Sequence, residues 1–385
     1  MNIMFLIFSF NTGGIEKQLI EMTDNMTTKG HHICICIINH RYEEVLLGKI
    51  NKKVNIVKFD RPEKSKHKLR YMLRLAKIVK DNNIQIIHCQ EPTGVVFSVI
   101  AKRMNPGVKI VETIHDIGES RLYSKSVLRA ADLICDIYIA ISESVRKEII
   151  DRGISDKKTE LITDAVNTKE YQQIIDKDED RAANSIQETD NILDKRLMLG
   201  NVARFFPEKK GQDVLVRAIE ILMKKYPDIH CSLAGGIYRG QEENWDKLQK
   251  YISDHGLGSN VFLCGNLDNI PEFLSTIGIF VLPSLYEGFG ISLIEAMSMG
   301  IPCVASNIDG PKEIITDSSL GVLAEPGNEY DLADKIDYVI CNYDSYNQAD
   351  ISRYITERYD IGKMVDKHLQ LYMNLVECVI NENVS

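Results

Sequence analysis

The stretch of sequence that decides the fold lies at residues 282–306 and reads LPSLYEGFGISLIEAMSMGIPCVAS. Its pattern predicts a buried strand that ends at Ser284, a turn rich in glycine, a helix that begins near Gly290 and a second short strand, PCVAS. A strand, a helix and a further strand in this order are typical of a parallel sheet. Because free N–H groups and the helix dipole meet at the start of the helix, the stretch predicts an anion-binding site there.

Two carboxylates flank this turn. Glu287 precedes it, and Glu295 follows with seven residues between the two. Carboxylates in such places bind the hydroxyls of a sugar or a ribose, because each accepts directed hydrogen bonds. The alternative is that both are solvated residues at an ordinary helix start, where acidic side chains are favoured in any case.

Two cations lie in a second loop that also connects a strand to a helix. Residues 200–211 read GNVARFFPEKKG and lie between a predicted strand and a predicted helix. Arg204 and Lys210 are therefore expected at the carboxyl edge of the sheet, beside the anion site. A guanidinium and an ammonium together suit a diphosphate, although solvated loop charges are the simpler alternative.

Outward from this region, apolar runs of strand length alternate with helical stretches along most of the chain. The alternation predicts an α/β fold with two Rossmann-like, doubly wound parallel-sheet domains facing a central cleft. We assign residues 1–166 to the first domain, 167–195 to an acidic linker and 196–361 to the second domain. A last helix, at about 362–385, is expected to cap one of the domains and is assigned to the first.

The first domain contributes weaker signals. Gly13 and Gly14 end the first strand and open the first helix, so the backbone there can approach a phosphate or a sugar, although a plain tight turn explains the pair equally well. His115 ends the strand KIVETIH and is expected to point into the cleft; histidines at strand ends are more often structural. The glycine pattern around Gly13 and Gly14 is not G-x-G-x-x-G, the motif of dinucleotide-binding folds, so a nicotinamide dehydrogenase is disfavoured.

Composition narrows the function classes further. The chain has 385 residues, 44% hydrophobic and 26% charged, with a net charge of −9, as expected of a globular protein. No run is long enough for a transmembrane helix or shaped like a signal peptide, and the nine cysteines are odd in number, so we expect a cytoplasmic protein with reduced thiols. P-loop, nucleophile-elbow and H-E-x-x-H motifs are absent, and we expect no metal.

Charge is unevenly distributed: residues 1–165 hold 26 Lys and Arg against 20 Asp and Glu. The stretch 64–80 contains seven cations and no acid, among them Lys66, Lys68, Arg70 and Arg74. A basic amphipathic helix can lie on an anionic membrane, which would place the protein peripherally at the inner face of the cytoplasmic membrane. The alternative is an ordinary sheet-covering helix with a solvated basic face. Nucleic acid is not expected as a partner, because aromatic side chains are not interleaved with the cations.

Together these motifs resemble the retaining family 4 glycosyltransferases of the GT-B fold, also called glycosyl transferases group 1. The resemblance extends over nearly the whole chain, through GGIE at 13–16, ARFFPEKKG at 203–211, LAGG at 233–236, CGNLDNIPEFL at 264–274, the stretch at 282–306 and DGPKEII at 309–315. It implies transfer of a sugar from a nucleotide-sugar donor, with UDP expected, to a glycan or lipid-linked acceptor in polysaccharide or glycoconjugate biosynthesis. It implies neither a cofactor nor a metal.

The resemblance also implies residue roles. Arg204 and Lys210 would stabilise the leaving phosphate, Glu287 would bind a donor-sugar hydroxyl and Glu295 the ribose. Four successive residues would hold the donor through their amides: Gly288, Phe289, Gly290 and Ile291. From the first domain, Gly13 and Gly14 would approach the diphosphate and His115 would bind the donor sugar. Retention is expected to proceed by front-face attack within an ion pair.

Two other function classes stay open on the sequence. One is a nucleotide-sugar epimerase of related shape, with His115 as its general base. The other is a catalytically silent relative that only binds a sugar nucleotide.

Overall fold

A computed structural model describes residues 1–62, 65, 67–116, 118, 125–175 and 194–382. The chain divides into two compact units. Unit 1 comprises Met1–Ala165 together with Ile361–Ser385, and unit 2 comprises Val166–Asp360. The chain therefore passes from unit 1 to unit 2 and back.

Unit 1 is built on a seven-stranded parallel sheet in the order β3-β2-β1-β4-β5-β6-β7. Its strands are β1 (Asn2–Ile7), β2 (His32–Asn39), β3 (Asn55–Arg61), β4 (Ile86–Cys89), β5 (Lys109–Ile114), β6 (Ile137–Ala140) and β7 (Thr159–Leu161). Its helices up to Ala165 are α1 (Gly14–Thr28), α2 (Glu44–Leu47), α3 (Lys68–Asp81), α4 (Pro92–Phe97), α5 (Val99–Met104), α6 (Lys125–Asp132) and α7 (Glu143–Asp151).

The central strands of this sheet are apolar along almost their whole length because helices cover both faces. In β2, Cys34 pairs with Met4 and Cys36 with Leu6 of β1, and both thiols are buried. Burial raises the pKa of Cys34 to about 12. These cysteines are therefore small apolar residues of the strand core.

One predicted helix is interrupted. The sequence predicts a single helix over 93–103, whereas the structure has α4 and α5, which meet at Ser98. The Ser98 hydroxyl is buried and donates to the carbonyl of Gly94 at 2.8 Å. A serine hydroxyl that bonds back to the preceding turn bends the helix, and here it divides it.

The last helix of the chain, Ile361–Glu382, belongs to unit 1. It runs against α1 and adds its apolar stripe to the core formed by β1, β2 and α1. The buried residues of the stripe are Ile361, Met364, Val365, Leu369 and Tyr372. Unit 1 thus combines the first and last segments of the chain in one core.

Unit 2 is built on a six-stranded parallel sheet in the order β10-β9-β8-β11-β12-β13. Its strands are β8 (Met198–Val202), β9 (His230–Ala234), β10 (Val261–Gly265), β11 (Ile279–Leu282), β12 (Cys303–Ser306) and β13 (Gly321–Ala324). Its helices from Met198 onward are α8 (Pro207–Lys210), α9 (Gln212–Met223), α10 (Glu242–Asp254), α11 (Ile270–Ser275), α12 (Ile291–Ser298), α13 (Asp309–Ile314), α14 (Glu329–Cys341) and α15 (Gln348–Arg358). The helix Ile361–Glu382 of unit 1 is labelled α16.

Of the linker assigned to 167–195, residues 176–193 lie outside the described residues. Residues 168–175 are helical and belong to unit 2. In the part of the chain that the structure describes, no helix is long and apolar enough to cross a membrane.

Candidate active site

The glycine-rich stretch of unit 2 folds as its pattern predicts. Strand β11 leads to the turn 283–290, and α12 begins directly after Gly290. Gly290 has a φ of 113°, a left-handed conformation that favours glycine. Phe289 is buried, and its ring meets the ring of Tyr359 edge to face at 5.4 Å. This aromatic contact therefore holds the turn in place.

The loop that carries the two cations packs against this turn. The backbone carbonyl of Lys209 accepts hydrogen bonds from the N–H groups of Leu285 at 2.8 Å and Tyr286 at 3.2 Å. Gly211 follows α8 with a φ of 64°, and a Cβ added to it would lie 2.1 Å from the carbonyl oxygen of Pro283. Only glycine allows the two loops to approach so closely.

This contact brings Lys210 and Glu287 together. The Lys210 Nζ donates to Glu287 Oε2 at 2.6 Å, and the Ser284 hydroxyl donates to the same oxygen at 3.1 Å. The side chains of Lys210 and Glu287 are only 20% and 15% exposed. Because they are largely shielded from water, salt screens this ion pair less than a surface pair. The arrangement gives a fixed ammonium beside a fixed carboxylate at the carboxyl edge of β8 and β11.

Arg204 stands at the other end of the same loop. It is exposed, and its backbone carbonyl accepts from the buried side-chain amide of Gln212 at 2.9 Å. The loop is tied to the next strand as well, since Ala203 N donates to Ala234 O and Phe205 N donates to Gly236 O. The guanidinium therefore extends from an anchored backbone.

Glu295 lies inside α12 and is almost completely buried. Its Oε1 accepts a hydrogen bond from the phenol of Tyr171 at 2.8 Å. Tyr171 is itself buried and belongs to the helical stretch 168–175 at the start of unit 2. The second glutamate of the motif is thus held by a residue 124 positions away in the sequence.

In unit 1 the two predicted glycines lie at the start of α1, six and seven residues beyond Ile7, the last residue of β1. Gly13 precedes α1, and Gly14 is its first residue. The preceding residue, Thr12, donates through both its N–H and its hydroxyl to the carboxylate of Glu43, at 3.2 and 2.5 Å. The helix start is therefore where the sequence predicts it, whereas the strand ends earlier than predicted, at Ile7.

His115 directly follows β5 and is partly buried. Its Nε2 lies 3.0 Å from Oε1 of Gln90, which can only accept, so Nε2 carries the proton. Burial, with a smaller contribution from the charge of His368, lowers the pKa of His115 to about 4. At neutral pH this imidazole is an uncharged hydrogen-bonding group.

His115 belongs to a buried histidine cluster with His88 and His368. The two nitrogens of His88 contact the hydroxyls of Thr113 and Tyr372, each at 2.6 Å. The rings of His88 and His368 are 5.7 Å apart. Burial lowers the pKa of His368 to about 4 and that of His88 well below its usual value. The cluster ties α16 to the strand ends that carry Gln90 and His115.

The basic stretch forms α3, whose exposed residues are Lys68, Leu69, Arg70, Leu73, Arg74, Lys77, Lys80 and the terminal Asp81. Lys66 lies outside the described residues. Arg74 is held in place, since its guanidinium donates to the carbonyl of Lys58 and lies 4.5 Å from the ring centre of Phe59. The side chains of Leu69 and Leu73, one turn apart, are 62% and 47% exposed.

Sequence analysis missed Ser284, Gln90 and Tyr171. Ser284 is part of the motif, but nothing in the pattern distinguishes a buried hydroxyl from an exposed one. Gln90 and Tyr171 find their partners only through the packing of distant segments. Among the described residues, no group of three or more His, Cys, Asp or Glu side chains could hold a metal ion.

Two family models match the chain. Residues 12–170 match "Glycosyltransferase Family 4", and residues 176–356 match "Glycosyl transferases group 1". Together they extend over most of the sequence, one in each half.

Curated relatives and solved structures point the same way. The chain is 20% identical to the N-acetyl-alpha-D-glucosaminyl L-malate synthase of Bacillus anthracis, over 95% of each chain. It is 25% identical to the UDP-Gal:alpha-D-GlcNAc-diphosphoundecaprenol alpha-1,3-galactosyltransferase of Escherichia coli, over 80% of each. The structure of Anabaena HepE in complex with UDP and glucose superposes with a TM-score of 0.79 at 20% identity, over 96% of this chain and 98% of that one.

Proposed function

Since this chain belongs to the family 4 glycosyltransferases and has their GT-B fold, we propose that it is a retaining enzyme with a UDP-sugar donor and a glycan or lipid-linked acceptor. The E. coli relative is named for a UDP-galactose donor and a diphosphoundecaprenol-linked acceptor, and HepE has been solved with UDP. Both names support this donor class.

The observation that carries the proposal is the ion pair between Lys210 and Glu287. A nucleotide-sugar donor presents a diphosphate next to a sugar ring, and the pair offers an ammonium and a carboxylate side by side. In the proposed mechanism the ammonium of Lys210 and the guanidinium of Arg204 stabilise the charge that develops on the leaving phosphate. Glu287 orients the sugar by accepting a hydroxyl hydrogen bond, and Glu295 does the same for the ribose.

We propose the remaining roles on the basis of the family membership. The amides of Gly288, Phe289, Gly290 and Ile291 hold the phosphates at the start of α12. Gly13 and Gly14 approach the diphosphate from unit 1, and His115 binds the donor sugar. We propose front-face attack, in which the leaving phosphate takes the acceptor proton and no metal is required.

The epimerase alternative is less well supported. It needs a general base, and His115 is the candidate from the sequence. A group whose pKa is about 4 is a weak base at neutral pH. The relatives reported above are named as a transferase and a synthase, which also favours group transfer.

Donor class is testable by thermal shift with UDP-, GDP-, ADP- and TDP-sugars in the presence of EDTA. A ligand at 100 times its Kd adds about 2.7 kcal/mol to the free energy of unfolding. We expect the UDP-sugars to stabilise the wild type and Glu295→Ala to abolish that shift. The exposed Glu242→Ala serves as the control and should behave as the wild type. Undiminished stabilisation of Glu295→Ala would remove Glu295 from the donor site.

We also propose that α3 lies on an anionic membrane surface. Its exposed face combines two leucines one turn apart with cations on either side, and α3 itself carries no acid before Asp81. The end of α5 is attached to it, since the side chain of Asn105 donates to the carbonyl of Ala76, and α5 adds the exposed Arg103 and Met104. Apolar side chains surrounded by cations suit a leaflet of anionic lipid, where a lipid-linked acceptor would be found.

Vesicle binding tests this surface. The triple variant Lys68→Gln, Arg70→Gln, Lys77→Gln should bind phosphatidylglycerol vesicles at low salt on the order of 100-fold more weakly, at about 1 kcal/mol for each cation. The control carries the same charge change on unit 2, in Lys224→Gln, Lys247→Gln, Lys250→Gln, and should keep its affinity. Equal losses in both variants would show a net-charge effect and not a surface on α3.

A further inference from the structure

Glu295 is a carboxylate in an apolar environment. The helix α12 around it is buried at Leu293, Ile294, Ala296 and Met297, and Glu295 itself is 5% exposed. A charged carboxylate in such a place requires hydrogen-bond donors, because burial without them is strongly unfavourable. The donor that the structure places on its Oε1 is the phenol of Tyr171, at 2.8 Å.

The contact with Glu295 depends on the hydroxyl of Tyr171 and not on its ring. The ring is buried at 1% exposure, so a phenylalanine would fill the same space and leave the carboxylate without that donor. A glutamate side chain has three rotatable bonds, and a hydrogen bond to one of its oxygens restricts where the other oxygen points. The phenol therefore fixes the orientation of the carboxylate.

The segment that carries Tyr171 is itself anchored. Val166 N donates to the carbonyl of Tyr359 at 2.9 Å, and the Thr168 hydroxyl donates to the carboxylate of Asp360 at 2.7 Å. These two hydrogen bonds join the start of unit 2 to its end. Tyr171 lies three residues after Thr168, in the same segment. A donor held on an anchored helix can keep its acceptor in one position.

We propose that Tyr171 is a positioning residue that acts through Glu295 on the ribose of the bound nucleotide. The proposal rests on the proposed role of Glu295 as the ribose-binding group. A carboxylate can accept about four hydrogen bonds, so accepting one from the phenol is compatible with accepting others from ribose hydroxyls. Tyr171 would not touch the substrate.

The test compares two ligands in two proteins. Calorimetry measures the Kd of UDP and of 2′,3′-dideoxyuridine diphosphate, which lacks both ribose hydroxyls, for the wild type and for Tyr171→Phe. We expect Tyr171→Phe to weaken UDP binding about tenfold, since a hydrogen bond to a charged group contributes on that order. Binding of the dideoxy nucleotide should change less than about twofold.

Two further variants serve as controls. Tyr346 is a buried tyrosine of unit 2 whose hydroxyl has no hydrogen-bond partner among the described residues, so Tyr346→Phe removes a hydroxyl without removing this contact and should leave both Kd values unchanged. In the background of Glu295→Gln, the additional change Tyr171→Phe should have almost no effect on UDP binding, because coupled residues are not additive.

Each outcome is decisive. An equal loss for both nucleotides in Tyr171→Phe would indicate a structural role, and no loss for either would show no role; both results overturn the proposal. In either case, if the wild type binds UDP more tightly than the dideoxy nucleotide, the proposed role of Glu295 in ribose binding still stands. A wild type that binds the two equally, or binds neither, overturns the role of Glu295 and the positioning role of Tyr171 with it.

Discussion

Lys210→Ala and Arg204→Ala are each expected to lower the rate of sugar transfer by a factor on the order of 100–1,000, the loss found when one preorganised stabiliser of transition-state charge is removed. For Lys210 we expect this loss of rate because its position is fixed: its ammonium is held 2.6 Å from Glu287 and is shielded from water. Arg204 differs in that it reaches out from an anchored loop. The measurement is the steady-state rate with saturating donor.

The matched control for this experiment is Lys209→Ala. It removes a cation from the neighbouring position of α8 but leaves the backbone carbonyl that accepts from Leu285 and Tyr286. We expect its rate to stay within a few-fold of the wild type. Thermal unfolding of all three variants shows whether the fold is kept, and near-normal turnover of folded Lys210→Ala and Arg204→Ala would refute their role.

Acidification is expected to unfold unit 1 before unit 2. His88 and His368 are buried, His115 is partly buried, and all three are uncharged at neutral pH, with pKa values lowered to about 4 for His115 and His368 and well below the usual value for His88. An unfolded histidine takes up its proton near pH 6.5, so the unfolded chain binds more protons as the pH falls. The stability from these groups is present above pH 6.5 and is lost between pH 6.5 and 4. At pH 5 His115 and His368 each cost about 2 kcal/mol.

Protonation of Glu91 has the opposite effect, because it stabilises unit 1 as the pH falls. Burial raises its pKa to about 7, so the folded state binds a proton that the unfolded state releases until about pH 4.5. Its contribution grows as the pH falls from 7 to 5 and offsets about 2 kcal/mol of the loss. His115 and His368 against Glu91 leave a net loss of about 2 kcal/mol at pH 5, and His88 adds to this loss in the same direction, which is a sizeable part of the stability of an ordinary domain.

Two probes separate the units in this experiment. The single tryptophan of the chain, Trp245, lies in unit 2 and reports on that unit by fluorescence. Hydrogen exchange of the β4 and β5 amides reports on unit 1. We expect the β4 and β5 amides to lose protection at pH 5 while Trp245 still reports a folded unit 2. His368→Phe should reduce the pH dependence, whereas the exposed His32→Gln should not. Equal protection at pH 5 and 7.5 would refute the prediction.

Much of the fold could be predicted from the sequence, because its determinants are local. Strand-length apolar runs, the glycines of the turn and the start of α12 all follow from residues close together in the chain. The neighbourhood of Lys210 and Glu287 could be predicted too, since both follow strands of one parallel sheet, and the carboxyl ends of such strands share one edge.

What could not be predicted depends on contacts between distant residues. Tyr171 lies in a stretch that reads as linker, and its partner is 124 residues further on. Likewise His88 and Tyr372 are 284 residues apart, and no periodicity indicates that their rings would meet. The interruption of the helix at Ser98 depends on the rotamer of one hydroxyl, which the sequence pattern does not determine.

The return of the last helix to unit 1 fixes an order of events during protein synthesis. Unit 2 is continuous from Val166 to Asp360, so all of its residues are added to the chain before α16 is made. At 5–20 residues per second, the N-terminal segment waits about 10–40 s for Met364, Leu369 and Tyr372 to complete its core. The part of the chain that is translated first is therefore the last to mature, and a truncation at the C-terminus damages the N-terminal unit.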